Sequence, residues 1–358
     1  MKRRKFLKSL GGSFLATSLL VSNSSHSAQK TEHNWKMVTS WPKNFPGLGV
    51  GAENLAKIIN KLSNNRIKIR VFGANELVPP LEVFDYVSNG GAELGHSGAY
   101  YWKGKSEACQ FFSSVPFGMN AQEMNAWLYY GGGLELWSKL YSKFNLVPRP
   151  AGNTGVQMGG WFNKLIEKTS DLKGLKMRIP GLGGEVLSRA GGVPVTLAGA
   201  EIFTALQTGT IDATEWVGPY NDRAFGLHKA SKYYYYPGWH EPGPTIECMI
   251  NKDAYNSLPD DLKFIVDMGC KAANIDMLAD YTSKNNKALK FLLSKKIIIK
   301  EFPTEVLDSL REISIEVLKD IGSTDKITKE VYLSYIKFQE EVTPWTKLSE
   351  KSYLNSRD

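Results

Sequence analysis

Apolar side chains recur along this chain in two alternating rhythms. Ile67, Ile69 and Val71 alternate with Lys68 and Arg70, the period of a half-buried strand. Residues 35–41, 92–97, 156–163 and 176–179 read as further short strands. Between them the spacing changes. Leu55, Ile58, Ile59 and Leu62 fall on one face of a helix over 51–62. Residues 80–89, 183–190 and 200–208 read as shorter helices, and Gly131-Gly132-Gly133 breaks a helical stretch into 127–130 and 134–141. From residue 259 to 295 the helical rhythm is sustained through Leu262, Ile265, Val266, Cys270, Ala273, Met277 and Leu278, long enough to cross more than one lobe or to pack on a partner. Residues 305–321 and 329–342 continue helical. Strands alternating with helices predict an α/β architecture. The run Tyr233 to Tyr236 reads as strand and surface packing, and Lys295-Lys296 as a solvated helix end.

Composition places limits on these elements. The chain has 358 residues, 42% hydrophobic and 22% charged, enough for two lobes. The formal charge of +8 suggests a polyanion partner, but five of those charges (Lys2, Arg3, Arg4, Lys5, Lys8) lie in residues 1–28, and the remainder carries +3. Nucleic acid is therefore not an expected partner. The same five charges precede a short apolar stretch, residues 9–21, and a small polar segment ending near Ala28, the form of a cleaved signal peptide. Arg3-Arg4 followed by Phe6-Leu7-Lys8 matches the twin-arginine type, which predicts export to the periplasm. Cys109, Cys248 and Cys270 make no disulfide framework and no metal pattern. A Cys248–Cys270 bridge has no support from the sequence.

The familiar catalytic motifs are missing. There is no Walker loop, no G-x-S-x-G elbow and no H-E-x-x-H. Gly47-Leu48-Gly49-Val50-Gly51 lacks the spacing and the acidic partner of a dinucleotide loop. The five histidines form no readable triad or zinc set. Four polar residues stand out because they sit in glycine-rich or apolar strand ends and loops, where ligand sites form in α/β proteins. They are Gln157, Arg178, Glu215 (beside Trp216) and Glu241. The planar fork of an arginine suits a carboxylate, which it grips through two parallel charge-assisted bonds.

These segments, with two more, carry a resemblance. Gly174-Leu175-Lys176-Met177-Arg178-Ile179-Pro180-Gly181, the stretch from Gln207 to Ala213, and Glu215-Trp216-Val217-Gly218-Pro219-Tyr220-Asn221-Asp222 are its most specific marks. The block from Trp41 to Gly49, Ser97 to Gly104, and Val115 to Met119 narrow it. Over residues 34–345 the sequence resembles the substrate-binding proteins of TRAP transporters, the DctP-like family, in the branch that binds 2-oxo acids such as pyruvate or the 2-hydroxy acid lactate. The resemblance implies a two-lobed, periplasmic-binding-protein-like α/β fold with crossing strands and a long helix spanning both lobes. The expected division is 34–154 plus 244–283 for lobe I, 155–243 plus 284–322 for lobe II, and a C-terminal helical extension, 323–358, that serves dimerisation in this branch. It implies that Arg178 pairs with the substrate carboxylate and that a metal ion, sodium or calcium, is held by Gln157, Glu215, the Trp216 carbonyl and Glu241. Tyr101 and Asn221 are expected to line the pocket, with Gln157 also reaching the substrate. The implied partners are a small carboxylate and the transporter's membrane subunits, with no covalent chemistry.

Charge supports the cation. Arg178, Glu215 and Glu241 together carry −1, and a monocarboxylate brings the site to −2. Buried carboxylates beside an anionic ligand repel it or take up protons. Sodium leaves −1 and calcium leaves zero, and an all-oxygen donor set suits these hard ions. The competing reading, a metal-dependent enzyme using Glu215 or Glu241 as base, lacks an accompanying histidine, serine or cysteine arrangement. A sensory binding protein is compatible with the same residues.

Overall fold

The computed structural model describes residues 33–357, so the signal peptide expected over residues 1–28 lies outside the described residues. The strands are β1 (His33–Thr39), β2 (Ile67–Phe72), β3 (Leu94–Ser97), β4 (Leu146–Asn153), β5 (Gly160–Phe162), β6 (Lys176–Arg178), β7 (Val193–Val195), β8 (Ala213–Thr214), β9 (Tyr233–Tyr236), β10 (Thr245–Asn251) and β11 (Ile298–Glu301). They form two sheets, ordered β2-β1-β3-β10-β4 and β11-β9-β5-β8-β6-β7. In the first, β1, β2 and β3 run parallel and β10 lies antiparallel between β3 and β4. In the second, β6 pairs parallel with β7 and β8, while β5 is antiparallel to β8 and β9. The chain passes from the first sheet to the second after β4, and β10 returns it. Asn153 pairs with Thr245 at the point where the two strands leave the first sheet.

Local chemistry explains most of these elements. β2 buries Ile67, Ile69 and Val71 and exposes Lys68 and Arg70, as its alternation predicts. The helix Leu48–Leu62 buries Leu55, Ala56 and Ile59. Helices Ala121–Tyr130 and Gly133–Tyr141 flank the glycine break, and Gly132 takes the left-handed conformation there, φ 85°, that favours glycine.

The long helix, Asp260–Leu293, is 34 residues, and it joins the lobes because its apolar positions rotate along its length. Leu262, Val266, Cys270 and Ala273 enter a core with β1, β2 and helix Leu48–Leu62. Met277, Tyr281 and Leu292 enter another that holds Trp41 and Leu48 from one side and Trp161, Ile202 and Trp216 from the other. One helix thus feeds two hydrophobic clusters, the second of which seals the lobes against each other.

Several expectations change. The strand expected over 156–163 forms only at β5. Residues 157–159 instead send their backbone N–H groups to Glu241 (3.2 Å), Val217 (3.0 Å) and Tyr235 (2.8 Å), tying a loop to three neighbouring segments. The tyrosine run does form a strand, but it is not surface packing: Tyr234 and Tyr235 are fully buried and only Tyr236 is exposed. β10 escaped the pattern reading because every residue in it is buried, so it shows no alternation. The helix expected over 329–342 is longer, Lys326–Thr346, and helical structure continues through Lys347–Lys351 into Ser352–Arg357. Its first half packs on the first lobe, where the Tyr335 hydroxyl accepts from the Met119 N–H at 2.9 Å, whereas Trp345, Leu348 and Tyr353 are exposed. All three cysteines are buried free thiols.

Glu247 sits buried in the middle of β10, accepting from Trp102 Nε1 (2.5 Å) and the Tyr141 hydroxyl (2.8 Å). Burial pushes its pKa up to about 8 against these two donors. The unfolded chain releases this proton near pH 4.5, while the folded protein keeps it to about pH 8. The stabilisation is therefore complete below the unfolded value and is lost as pH rises through the folded one, at most about 1.4 kcal/mol per pH unit. Urea unfolding of the wild type and Glu247→Gln between pH 5 and 8 should show the wild type losing stability relative to the variant as pH rises. Parallel curves would mean that Glu247 ionises normally.

Candidate functional site

Four chain segments converge between the two sheets. β6 ends at Arg178, which lies in register with Thr214 on β8, so Glu215 and Trp216 emerge beside it. The loop that carries Gln157 enters from below β5, and residues 237–243 bring His240 and Glu241 across it. Glycine permits the approach. A Cβ on Gly238 would lie 2.3 Å from the Gln157 carbonyl oxygen, and one on Gly160, φ +116°, would lie 2.5 Å from that of Thr214.

Arg178, Glu215, Gln157, Trp216, His240 and Glu241 are all buried. The Arg178 Nη1 donates to Glu215 Oε1 in a close ion pair. Its Nη2 donates to the Tyr101 hydroxyl at 3.0 Å and its Nε to the Leu197 carbonyl at 3.3 Å. The guanidinium carbon sits 5.0 Å from the centre of the Trp216 ring, a cation–π arrangement. Gln157 Nε2 donates to Glu241 Oε2 at 2.8 Å and to Thr154 Oγ1 at 3.3 Å. Tyr101 comes from the first lobe and Arg178 from the second, so their bond bridges the cleft.

What these groups leave unpaired is as informative. Among the described residues, Gln157 Oε1, Glu215 Oε2 and both His240 ring nitrogens are buried without a hydrogen-bond partner, although His240 Nε2 lies 3.5 Å from Glu215 Oε2. Buried polar atoms are ordinarily satisfied, and these orphans lie in the converging segments of one site. Ligand atoms of Glu215, His240 and Glu241 fall within 4.8 Å of one another. Burial pushes the Glu241 carboxyl well above its usual range and the Glu215 carboxylate pushes it further, with Arg178 and the Gln157 amide opposing. Burial works against the charge of Arg178, yet Glu215 beside it leaves the guanidinium more basic than usual. Burial raises the Tyr101 hydroxyl as well. The orphaned oxygens of Gln157 and Glu215, with the Glu241 carboxyl beside Glu215, make an oxygen donor set that fits a hard cation.

The expected residues are therefore brought together, with one difference. Asn221 lies at the edge with both ends of its amide occupied: Nδ2 donates to the Pro46 carbonyl at 2.7 Å and Oδ1 accepts from the Tyr281 hydroxyl at 2.6 Å. It holds the first lobe, the second lobe and the long helix together, with one bond at each end of its amide already committed. His240 is the residue that sequence reasoning missed. Its one signal was its position next to Glu241.

Residues 37–325 match the bacterial extracellular solute-binding protein family 7, DctP. The chain belongs to this family, the solute-binding proteins of TRAP transporters. Family members are periplasmic receptors and not enzymes. A monocarboxylate 2-oxoacid-binding periplasmic protein of Nostoc sp. PCC 7120 is 45% identical over 99% of this chain and 98% of its own length. A TRAP solute-binding protein of Bordetella bronchiseptica RB50, solved as a mixed-occupancy dimer with calcium and picolinate, superimposes with a TM-score of 0.90 at 39% identity, covering 92% of this chain and 98% of that one. Another, from Pseudoalteromonas atlantica T6c with sodium and pyruvate, gives 0.88 at 44% identity over 91% and 99%. The two-lobed fold is thus that of TRAP solute-binding proteins.

A double-mutant cycle in chelator-stripped protein tests the central ion pair. Removing one partner of a buried pair costs about 3–5 kcal/mol, because the other charge is left uncompensated. Arg178→Ala should lower urea stability by that order, and Arg178→Ala/Glu215→Ala should be less destabilised than the single variant. Additive losses would show that the two side chains are not coupled.

Proposed function

We propose that this TRAP solute-binding protein captures a small 2-oxo monocarboxylate such as pyruvate together with sodium or calcium, and delivers it to the transporter's membrane subunits. The observation that carries this reading is the set of buried, unpartnered oxygens in the segments that converge on Arg178. Gln157 Oε1 and Glu215 Oε2 have no protein partner, and no hydrogen bond reaches the Trp216 carbonyl among the described residues. With Glu241, these are the cation's donors. A bound cation offsets the two carboxylates and leaves Arg178 free to grip the ligand's carboxylate. Pyruvate and picolinate share one feature, a carboxylate with a lone-pair donor on the next atom, and that pair of donors can chelate a cation. Their presence in relatives fits a site selective for this chelate. A 2-hydroxy acid such as lactate presents it too.

Each residue has a defined task in this scheme. Arg178 orients the carboxylate, and its hold on Leu197 and Tyr101 fixes the plane of the fork. Gln157 presents its free carbonyl while its amide steadies Glu241. Tyr101, contributed by the first lobe, links ligand capture to closure, since its bond to Arg178 exists only when the lobes meet. Asn221 clasps the closed form. The lobes are 34–154 plus 244–283 and 155–243 plus 284–322. The twin-arginine signal exports the chain, and the exposed apolar C-terminal helical end, with Trp345, Leu348 and Tyr353, pairs two copies.

Calorimetric titration of chelator-stripped protein with pyruvate and with lactate, each without cation, with sodium and with calcium, tests the scheme. Cation-dependent binding of pyruvate is expected, and the absence of binding to either acid would remove the substrate class. Arg178→Ala should weaken pyruvate at least about 100-fold, of the order lost when one partner of a buried charge pair goes. Unchanged affinity in that variant would sink the assignment of the arginine. Removing residues 344–358 should convert a dimer to a monomer in sedimentation. A chain that sediments as before would place the dimer contact elsewhere.

A further inference from the structure

The second lobe carries a face that ligand capture does not use. Segments 223–240 and 281–300 contain nine lysines and arginines and no aspartate or glutamate. That exceeds the +3 carried by everything beyond residue 28, so the rest of the protein is net acidic and the positive charge is concentrated here. The fold brings the two segments together. Arg223 lies 3.9 Å over the Phe291 ring and Lys295 lies 4.9 Å from the same ring. A cavity of about 690 Å³ opens between them, with His228, Lys229, Lys232, Lys295 and Lys296 in its lining.

Among the described residues, two of the nine have acidic partners: Lys284 with Asp280 and Lys300 with Glu167. Among the described residues, Arg223, Lys229, Lys232, Lys287, Lys290, Lys295 and Lys296 form no ion pair. All seven are exposed. His228 Nδ1 at the cavity is buried without a partner. Burial lowers the pKa of this histidine, and Lys229, Lys295 and Arg223 lower it further, as expected where positive charges crowd without relief. Two aliphatic side chains in the same stretch, Leu293 and Ile298, are 53% and 45% exposed.

We propose that this basic face of the second lobe docks the protein on an anionic phospholipid surface, with the cavity at His228 receiving a headgroup phosphate. Eight of the nine cations are lysines. Lysine is a hydrated point charge on a flexible stem and suits a diffuse anionic surface, whereas arginine forks suit fixed carboxylates on a protein partner. Basic residues flanked by a few exposed aliphatics are the pattern of reversible attachment to acidic leaflets. Attachment would confine the loaded receptor to the surface that holds the membrane subunits.

The test uses the protein purified from the periplasm, sedimented with phosphatidylcholine vesicles with and without phosphatidylglycerol. Partitioning is expected only onto the anionic vesicles and should vanish in high salt. Each surface lysine contributes about a fivefold effect. Lys229→Glu/Lys295→Glu/Lys296→Glu should therefore weaken partitioning about 100-fold or more, with ligand binding and melting temperature unchanged. Failure to bind anionic vesicles, equal binding to neutral ones, or an unaffected triple variant would overturn the proposal. Capture solely by membrane subunits in neutral lipid would overturn it too, in favour of an acidic protein partner. None of these readouts depends on which acid the site binds.

Discussion

The rest of the site depends on one buried ion pair, Arg178 with Glu215. Each is almost wholly removed from solvent, where an unpaired charge is untenable. The pair neutralises both, but a second carboxyl, Glu241, lies close enough for Glu215 to raise its pKa. The site therefore holds one positive group and two acidic ones in a setting that tolerates no imbalance. That constraint is what makes the site suited to taking a cation and an anion as a pair: a cation would remove the excess negative charge, and Arg178 would then be available to an anion.

The architecture keeps this arrangement in place through backbone proximity more than through long side chains. Arg178, Gln157, Glu215 and Glu241 each sit at a strand end or in a loop, and neighbouring backbones fix these loops. The 157–159 loop donates to Glu241, Val217 and Tyr235, and Gly238 donates back to the Gln157 carbonyl at 3.0 Å. The Arg178–Glu215 geometry follows from the parallel register of β6 and β8. Closure adds the contacts between lobes: Tyr101 to Arg178, Asn221 to Pro46, and the aromatic cluster of Trp41, Phe45, Trp216 and Phe225. The long helix lets the lobes share a core, because its buried positions serve one lobe first and then the seam.

The two ends of the molecule's charge distribution have different uses. Inside the cleft, charges are few, buried and close to one another. On the second lobe's outer face they are many, exposed and of one sign. Solvent screens the exposed set, so it tunes association without threatening the fold, while a single change in the buried set unbalances the core.

The sequence alone determined the strand and helix alternation, the great helix, the glycine break, and four polar residues out of place in apolar strand ends. Those are local properties: periodicity reports which face is buried, and a charged side chain beside glycines marks a loop held close to something. β10 stayed hidden because a strand buried on both faces has no period to read, and Tyr234 and Tyr235 because a tyrosine's amphipathic ring serves surface and core equally. Only the tertiary structure decided that Asn221 clasps the lobes with both ends of its amide engaged, that His240 stands beside Glu215, and that segments sixty residues apart merge into one basic face. Each of these depends on which residues meet across the chain, and no local pattern encodes a meeting between distant segments.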